Sequence, residues 1–345
     1  LRCSGAGAQI SGYGTANKSM KISVLGAGAW GTALARHLHQ GGNSVVLWDN
    51  DTANLIRIPT AGRNLKYLPD IDLPEGLGIE PELAVAANAG EMVVMAVPSF
   101  AYRRVGSALG EFDGIVVSVT KGIDYESGLP MSGVLAAVAP RARCVALSGP
   151  TLALEVARGI PTAAVAASRN SDDAALVQRL FHRPAFRIYT STDILGVEFG
   201  GALKNVIAIA AGVCDGLGFG DNSKAALVTR AIAEIRRLGV ACGARPDTFA
   251  GLSGIGDLVV TCFSKLSRNR TLGERLGRGE QLSEILASSV SVAEGYPTAR
   301  SAYALARRHN VSTPIIDEVY AMLYQGKTVT AALRDLTSRD LKPED

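Results

Sequence analysis

Lys21 to Asp49 reads KISVLGAGAWGTALARHLHQGGNSVVLWD, and its alternation decides the fold. Lys21–Leu25 is an apolar run of strand length. Gly26 to Gly31 (GAGAWG) follows, and a helical pattern runs from Trp30 to His39. Gly41-Gly42-Asn43 is turn chemistry. Val45–Trp48 is a second strand, ending at Asp49. The spacing predicts one βαβ unit with Gly26-x-Gly28-x-x-Gly31 between its first strand and its helix. In such a unit Gly26 allows the tight turn and Gly28 lets a pyrophosphate approach the backbone. Gly31 allows close helix–strand packing, and the helix N-terminus faces the phosphates. Asp49 stands where an acceptor for a ribose 2′-hydroxyl belongs. The same glycines would also serve a tight structural turn in another α/β fold. Trp30 is either a helix-packing residue or a lid over a cofactor.

Further β-branched apolar runs appear at Met92–Val97, Ile115–Val119, Cys144–Leu147 and Ala163–Ala166, each bounded by Gly, Pro or Ser. Such runs alternating with helices predict a mostly parallel sheet covered on both faces. After Asp193 strand-like runs vanish and helical periodicity continues to Leu336. The chain is therefore divided into residues 1–19, a small, polar, Gly-rich extension with little fixed structure expected; residues 20–193, a dinucleotide-binding α/β domain; and residues 194–338, a helical substrate domain.

Composition narrows the function. Of 345 residues, 47% are hydrophobic, 6% aromatic and 38 are glycine, which suits an α/β protein with closely packed helices. The net charge of +3 is too mild for nucleic acid, and no basic run supports it. It is compatible with a small anionic substrate. Cys3, Cys144, Cys214, Cys242 and Cys262 have no CxxC spacing and the four histidines form no ligand pattern, so a reducing cytoplasm and no metal are expected. No stretch reads as a clean bilayer span, because Lys204 and Asn205 interrupt the best candidate. The apolar helical half suggests a homodimer.

Three clusters carry chemistry. Lys204 is the only cation in the apolar run Val197 to Cys214 (VEFGGALKNVIAIAAGVC). A buried lysine is either held by a carboxylate or kept for chemistry, since desolvation shifts its pKa. The plainer reading is a lysine near the first helical turn whose head escapes to water. At the ends of three strands lie Val97-Pro98-Ser99, Val119-Thr120-Lys121-Gly122 and Ser148-Gly149-Pro150-Thr151. Ligands of open α/β sheets bind outside the carboxyl ends of strands, so Lys121 faces that crevice or is an ordinary surface lysine. In the helical half, Asp257 is the one acid of Gly254-Ile255-Gly256-Asp257-Leu258. Ser267-Arg268-Asn269-Arg270 then opens a helix. That opening is an anion cradle fit for a phosphate ester, or a plain N-cap with surface arginines.

The segments GAGAWGTALA, AVPS, TKGI, SGPTLALE, FGGALKNVIAIAAGVCDGLGFGDNSKAALVTR, GLSGIGDLVVTC, SRNR and VAEG occur in this order. From Met20 to about Asp335 the chain thereby resembles the bacterial NAD(P)-dependent sn-glycerol-3-phosphate dehydrogenases. The resemblance implies a Rossmann-type doubly wound sheet followed by an all-helical domain of the 6-phosphogluconate-dehydrogenase type. It implies reversible reduction of dihydroxyacetone phosphate to sn-glycerol 3-phosphate, which supplies the backbone of phospholipids. Hydride would come from the nicotinamide C4. Lys204 matches the family's proton donor and acceptor. Lys121, Gly149, Thr151, Asp257, Ser267, Arg268 and Asn269 match substrate contacts, with Asp257 the candidate to position a lysine. Trp30, Ala153, Val292 and Glu294 match cofactor contacts beside the turn glycines Gly26, Gly28 and Gly31, Ala29 takes a place often held by serine, and Lys121 and Arg268 are expected to serve both ligands.

Two departures stand out. Pro297 follows Glu294-Gly295-Tyr296 where the family often has a polar or basic residue. Past the second strand the family commonly carries Arg or His, whereas this chain has Trp48-Asp49-Asn50-Asp51. With Asp49 and Asp51 there and no adjacent cation, NADH is expected to be used at least as well as NADPH, unless Arg57 or Arg63 folds back. The rivals are a two-domain hydroxy-acid or sugar-acid dehydrogenase of the same architecture, and a cofactor-binding redox sensor without catalysis. The first would want a carboxylate site in place of the Ser267-Arg268-Asn269 segment, and the second would need no buried proton donor.

Overall fold

The computed structural model describes residues 19–289, 292–341 and 343. The expectation for residues 1–19, Cys3 included, falls outside them except at Ser19. Ten strands are present among the described residues: β1 Lys21–Leu25, β2 Ser44–Trp48, β3 Arg63–Asn64, β4 Leu68–Asp72, β5 Gly78–Ile79, β6 Met92–Met95, β7 Ile115–Ser118, β8 Arg143–Ser148, β9 Thr162–Ala167 and β10 Phe186–Ser191. Eight of them form one sheet in the order β10-β9-β8-β7-β6-β1-β2-β5. Pairing is parallel throughout except between β8 and β9, which are antiparallel.

The central strands bury both faces, as their unbroken apolar runs require. Met92 and Val94 join Leu34 and Leu38 of helix α1 (Ala29–Gln40) in one core cluster. Val93 and Met95 join Tyr102 and Leu135 in another on the opposite face. Each such side chain contributes roughly 1.5–3 kcal/mol by leaving water. Strand order reverses at β1, whose neighbours are β2 and β6, and this places a crevice beyond the carboxyl end of β1.

Three elements lie outside the expected strand runs, the two-residue edge strand β5 among them. β10 (FRIYTS) alternates, with Phe186 and Ile188 buried and Arg187 and Tyr189 exposed, because it forms the sheet's other edge. The β3–β4 hairpin lies off the main sheet and packs Leu68 and Ile71 on Ala33 and Ala157.

Beyond β10 the described residues are helical. The long helix Ile194–Gly216 starts at an Asp193 cap whose Oδ1 accepts from Gly196 N–H at 3.0 Å. Lys204 thus lies deep inside the helix rather than near its first turn. By length and composition this helix could cross a bilayer, with a mean hydropathy of 1.5, but 94% of that window is buried inside the protein. Its closest partner is the helix Arg268–Gly277. The two backbones touch directly at Gly212 and Gly216 on one side and Gly273 and Gly277 on the other. A Cβ on Gly212 would fall 1.9 Å from the Arg270 carbonyl oxygen, and one on Gly273 would fall 1.9 Å from that of Ile209.

Candidate active site

The glycine-rich turn is fixed from several sides. Gly26 has φ +115°, and a Cβ there would lie 2.6 Å from the Ala96 carbonyl oxygen, so only glycine serves. A Cβ on Gly28 would meet nothing within 4 Å, and Gly28 caps α1 without a side-chain hydrogen bond. Open space beside uncapped helical N–H groups fits a pyrophosphate. Ala27 N–H donates to Asp49 Oδ2 at 2.6 Å. Its carbonyl accepts from Asn64 Nδ2 at 2.7 Å and from Thr32 Oγ1 at 3.1 Å. Asn64, from β3, is fully buried. Trp30 packs edge-on against Phe186 at 6.5 Å, as a helix-packing residue does.

The turn after β2 differs from expectation. Asp49 Oδ1 accepts from Asp51 N–H at 2.8 Å, so both Asp49 oxygens serve the backbone. The premise of an acidic turn without a cation does not hold. Lys66 Nζ lies 2.6 Å from Asp51 Oδ2, and Arg104 Nη2 donates to Asn50 Oδ1 at 3.0 Å. Arg63 pairs with Asp72 instead, at 2.6 Å.

At the strand ends, one carboxylate joins two lysines. Asp257 Oδ2 accepts from Lys121 Nζ at 2.7 Å, and Oδ1 lies 3.0 Å from Lys204 Nζ. Lys121 also donates to the Gly149 carbonyl at 3.0 Å and to Thr151 Oγ1 at 3.3 Å. Gly149 has φ +143°, which turns the chain tightly after β8. Lys204 donates to Thr261 Oγ1 at 2.8 Å, and Thr261 donates to the Asp257 carbonyl at 2.6 Å. Lys204 is 6% exposed, which excludes a head in water. Burial pushes its ammonium down to about 8; the Asp257 carboxylate opposes the fall, and the Lys121 charge adds to it.

The SRNR segment opens the helix Arg268–Gly277. Ser267 Oγ caps it by accepting from Arg270 N–H at 3.2 Å. Arg268 is exposed to solvent, yet crevice walls crowd its guanidinium and lower its pKa, against the pull of Glu294 and Tyr67. Asn269 faces inward: its Nδ2 donates to Asn205 Oδ1 at 2.8 Å and its Oδ1 accepts from Gly295 N–H at 2.8 Å. Asn205 in turn donates to the Lys121 carbonyl at 3.2 Å. Glu294 crosses to the sheet, accepting from Ser99 N–H at 2.9 Å and Ser99 Oγ at 2.6 Å. Pro297 sits in the first turn of the helix Gly295–Arg308, where a missing N–H breaks no helical bond. Half-buried Val292 precedes Glu294, and Ala153 begins the short helix Ala153–Ala157 beside Trp30.

Residues 21–174 match the profile of the NAD-dependent glycerol-3-phosphate dehydrogenase N-terminus, and residues 193–334 match that of its C-terminus. A glycerol-3-phosphate dehydrogenase [NAD(P)+] from Geobacter sulfurreducens is 49% identical over 94% of this chain and 99% of its own. The chain belongs to the NAD-dependent glycerol-3-phosphate dehydrogenase family. A glycerol-3-phosphate dehydrogenase from Coxiella burnetii has a solved structure that superposes with a TM-score of 0.90. It is 34% identical, over 93% of this chain and 99% of that one. A ketopantoate reductase from Ralstonia eutropha, 16% identical with a TM-score of 0.58 over 89% of this chain and 98% of its own, shares the fold alone.

In this glycerol-3-phosphate dehydrogenase family member, the structure gathers Lys121, Gly149, Thr151, Lys204 and Asp257 at one point. Asn269 joins them through Asn205, while Ser267 caps the same helix one turn away at Arg270 N–H. Thr261, Asn205, Ser99 and Asn64 were not singled out from the sequence as site residues. Thr261 follows Asp257 by one helical turn, and Asn205 is an amide inside an apolar helix, so both left a signal. Ser99 stood in the strand-end segment Val97-Pro98-Ser99, but its partner Glu294 could not be read; Asn64 left no signal, because its partners are remote in sequence.

Proposed function

We propose that the chain catalyses the reversible NAD(P)H-dependent reduction of dihydroxyacetone phosphate to sn-glycerol 3-phosphate. The single observation that carries this reading is the Asp257 carboxylate shared by Lys121 and Lys204 beside the Arg268 helix. Two cations against one anion leave a net positive charge in a pocket that excludes most water, where it acts strongly on developing negative charge. The nicotinamide, when bound, supplies hydride from its C4 to the substrate carbonyl carbon. Gly26, Gly28, Ala29, Trp30, Gly31, Asp49, Ala153, Val292 and Glu294 are the proposed cofactor-side residues, with Lys121 and Arg268 shared.

Lys204 gives a proton from Nζ to the carbonyl oxygen and takes it back in the reverse direction, as a general acid and base. Asp257 orients Lys204, while Thr261 fixes a second direction of the ammonium. Lys121, with Gly149 and Thr151, adds charge to the same pocket. Arg268 and the Ser267 cap grip the phosphate, so that binding far from the reacting carbon orients it. Asn269 supports this cradle by tying it to Asn205. Residues 20–193 carry the cofactor and residues 194–338 the phosphate end. The product supplies phospholipid backbone in the cytoplasm, and a homodimer is proposed as the working form.

The test is incubation of the protein with dihydroxyacetone phosphate and reduced cofactor while cofactor absorbance is followed. Rapid loss is expected. Loss with a keto acid and none with dihydroxyacetone phosphate would favour the hydroxy-acid rival.

A further inference from the structure

Asn50 and Asp51, just past Asp49, each hold a cation delivered from elsewhere in the chain. Lys66 comes from the turn between β3 and β4, and Arg104 from the helix Ser99–Gly106 that follows β6. Lys66 is matched by Asp51, whose Oδ1 also accepts from Asn54 N–H at 3.1 Å. Arg104 is not matched. Its one hydrogen bond goes to the neutral amide oxygen of Asn50, and among the described residues no carboxylate pairs with it. A guanidinium offers five N–H donors in a planar fork that suits phosphate oxygens, so most of this fork remains available.

Asp49, the group that would repel a phosphate here, is turned to the backbone N–H groups of Ala27 and Asp51. Arg57 also bears on Asp51 electrostatically. Arg57, Lys66 and Arg104 therefore bring three cations to the Asp49–Asp51 turn, and Lys66 is the one paired there with a carboxylate. The turn lies where the strand end that meets an adenosine ribose is expected, and a nearby arginine is what a ribose 2′-phosphate requires.

We propose that Arg104, assisted by Lys66, binds the 2′-phosphate of NADP(H), so that this chain accepts NADPH through a cation brought from β6's helix rather than from the end of β2. The proposal rests on the dinucleotide reading of the glycine-rich turn. It stands against the expectation that NADH is used at least as well as NADPH, which assumed no cation beside the turn.

NADP+ and NAD+ differ only in the 2′-phosphate, so calorimetric titration of the full chain with each isolates the contact from turnover. For Arg104→Ala the ratio of NADP+ to NAD+ affinity should fall at least about tenfold. Arg104→Lys should recover part of it, and Lys66→Ala should show a smaller loss in the same direction. The NADPH to NADH ratio of kcat/KM should fall in parallel. An affinity ratio unchanged in Arg104→Ala and in the Arg104→Ala/Lys66→Ala double variant overturns the inference and leaves Arg104 as a tie between helix and turn. If the folded wild-type chain binds neither nucleotide, the dinucleotide reading itself falls, and this inference with it.

Discussion

Lys204 Nζ lies 3.0 Å from Asp257 Oδ1, and the two side chains are 7% and 2% exposed. A buried ammonium held by one carboxylate keeps its charge at neutral pH while remaining able to release a proton. The reactivity proposed for the site depends on this balance.

Lys204→Ala should lower kcat for dihydroxyacetone phosphate reduction by about a hundredfold or more, the usual scale of a general acid. Cofactor affinity by titration should stay near wild type. A loss below about tenfold would assign the proton to another group.

The pH profile follows from the same lysine. Reduction needs the ammonium, so its kcat/KM should fall as pH rises through about 8. Oxidation of sn-glycerol 3-phosphate needs the amine and should rise over the same range. Asp257→Asn removes the carboxylate that favours the charged form, so the falling limb should move to lower pH. A limb that stays in place in Asp257→Asn would show that Lys204 is not the group titrating.

Arg268→Ala should raise KM for dihydroxyacetone phosphate by roughly ten- to a hundredfold, the scale of a lost charge-assisted hydrogen bond. Free guanidinium ion should restore part of the activity. An unaltered KM would place the phosphate elsewhere.

Gly273→Ala should destabilise the protein although alanine is the better helix former. The new Cβ meets the Ile209 carbonyl oxygen at 1.9 Å, and backbone cannot rotate aside as a side chain can. Overpacking of this kind costs about 1–3 kcal/mol. A thermal melt should record a lower Tm, with a raised KM as the Arg268 helix shifts; a wild-type Tm would mean that the helices separate without cost.

The sequence revealed what local pattern controls. β1, α1 and β2 are punctuated by glycines, and the central strands are unbroken apolar runs because both their faces are covered. β10 escaped notice because an edge strand alternates with polar residues. Lys204 stood out as a lone cation, but its depth did not, since the helix begins at Ile194 ahead of the apolar run. The cations at Asp51 and Asn50 were illegible, because Lys66 and Arg104 reach them only through the hairpin and the β6 crossover. For the same reason the sharing of Asp257 by two lysines could be guessed only as a role and not as a geometry.

The direct backbone contact between the helices Ile194–Gly216 and Arg268–Gly277 acts as a calliper. Lys204 is mounted on one jaw and Arg268 heads the other. Where side chains separate two helices, a rotamer change can widen or narrow the gap. Here main chain rests on main chain at Gly212 and Gly273, and no such adjustment exists. On the proposed reading, the span from reacting carbonyl to phosphate is gauged by the polypeptide itself. Side-chain changes in the pocket would then alter how a three-carbon phosphate reacts far more readily than they would admit a longer one.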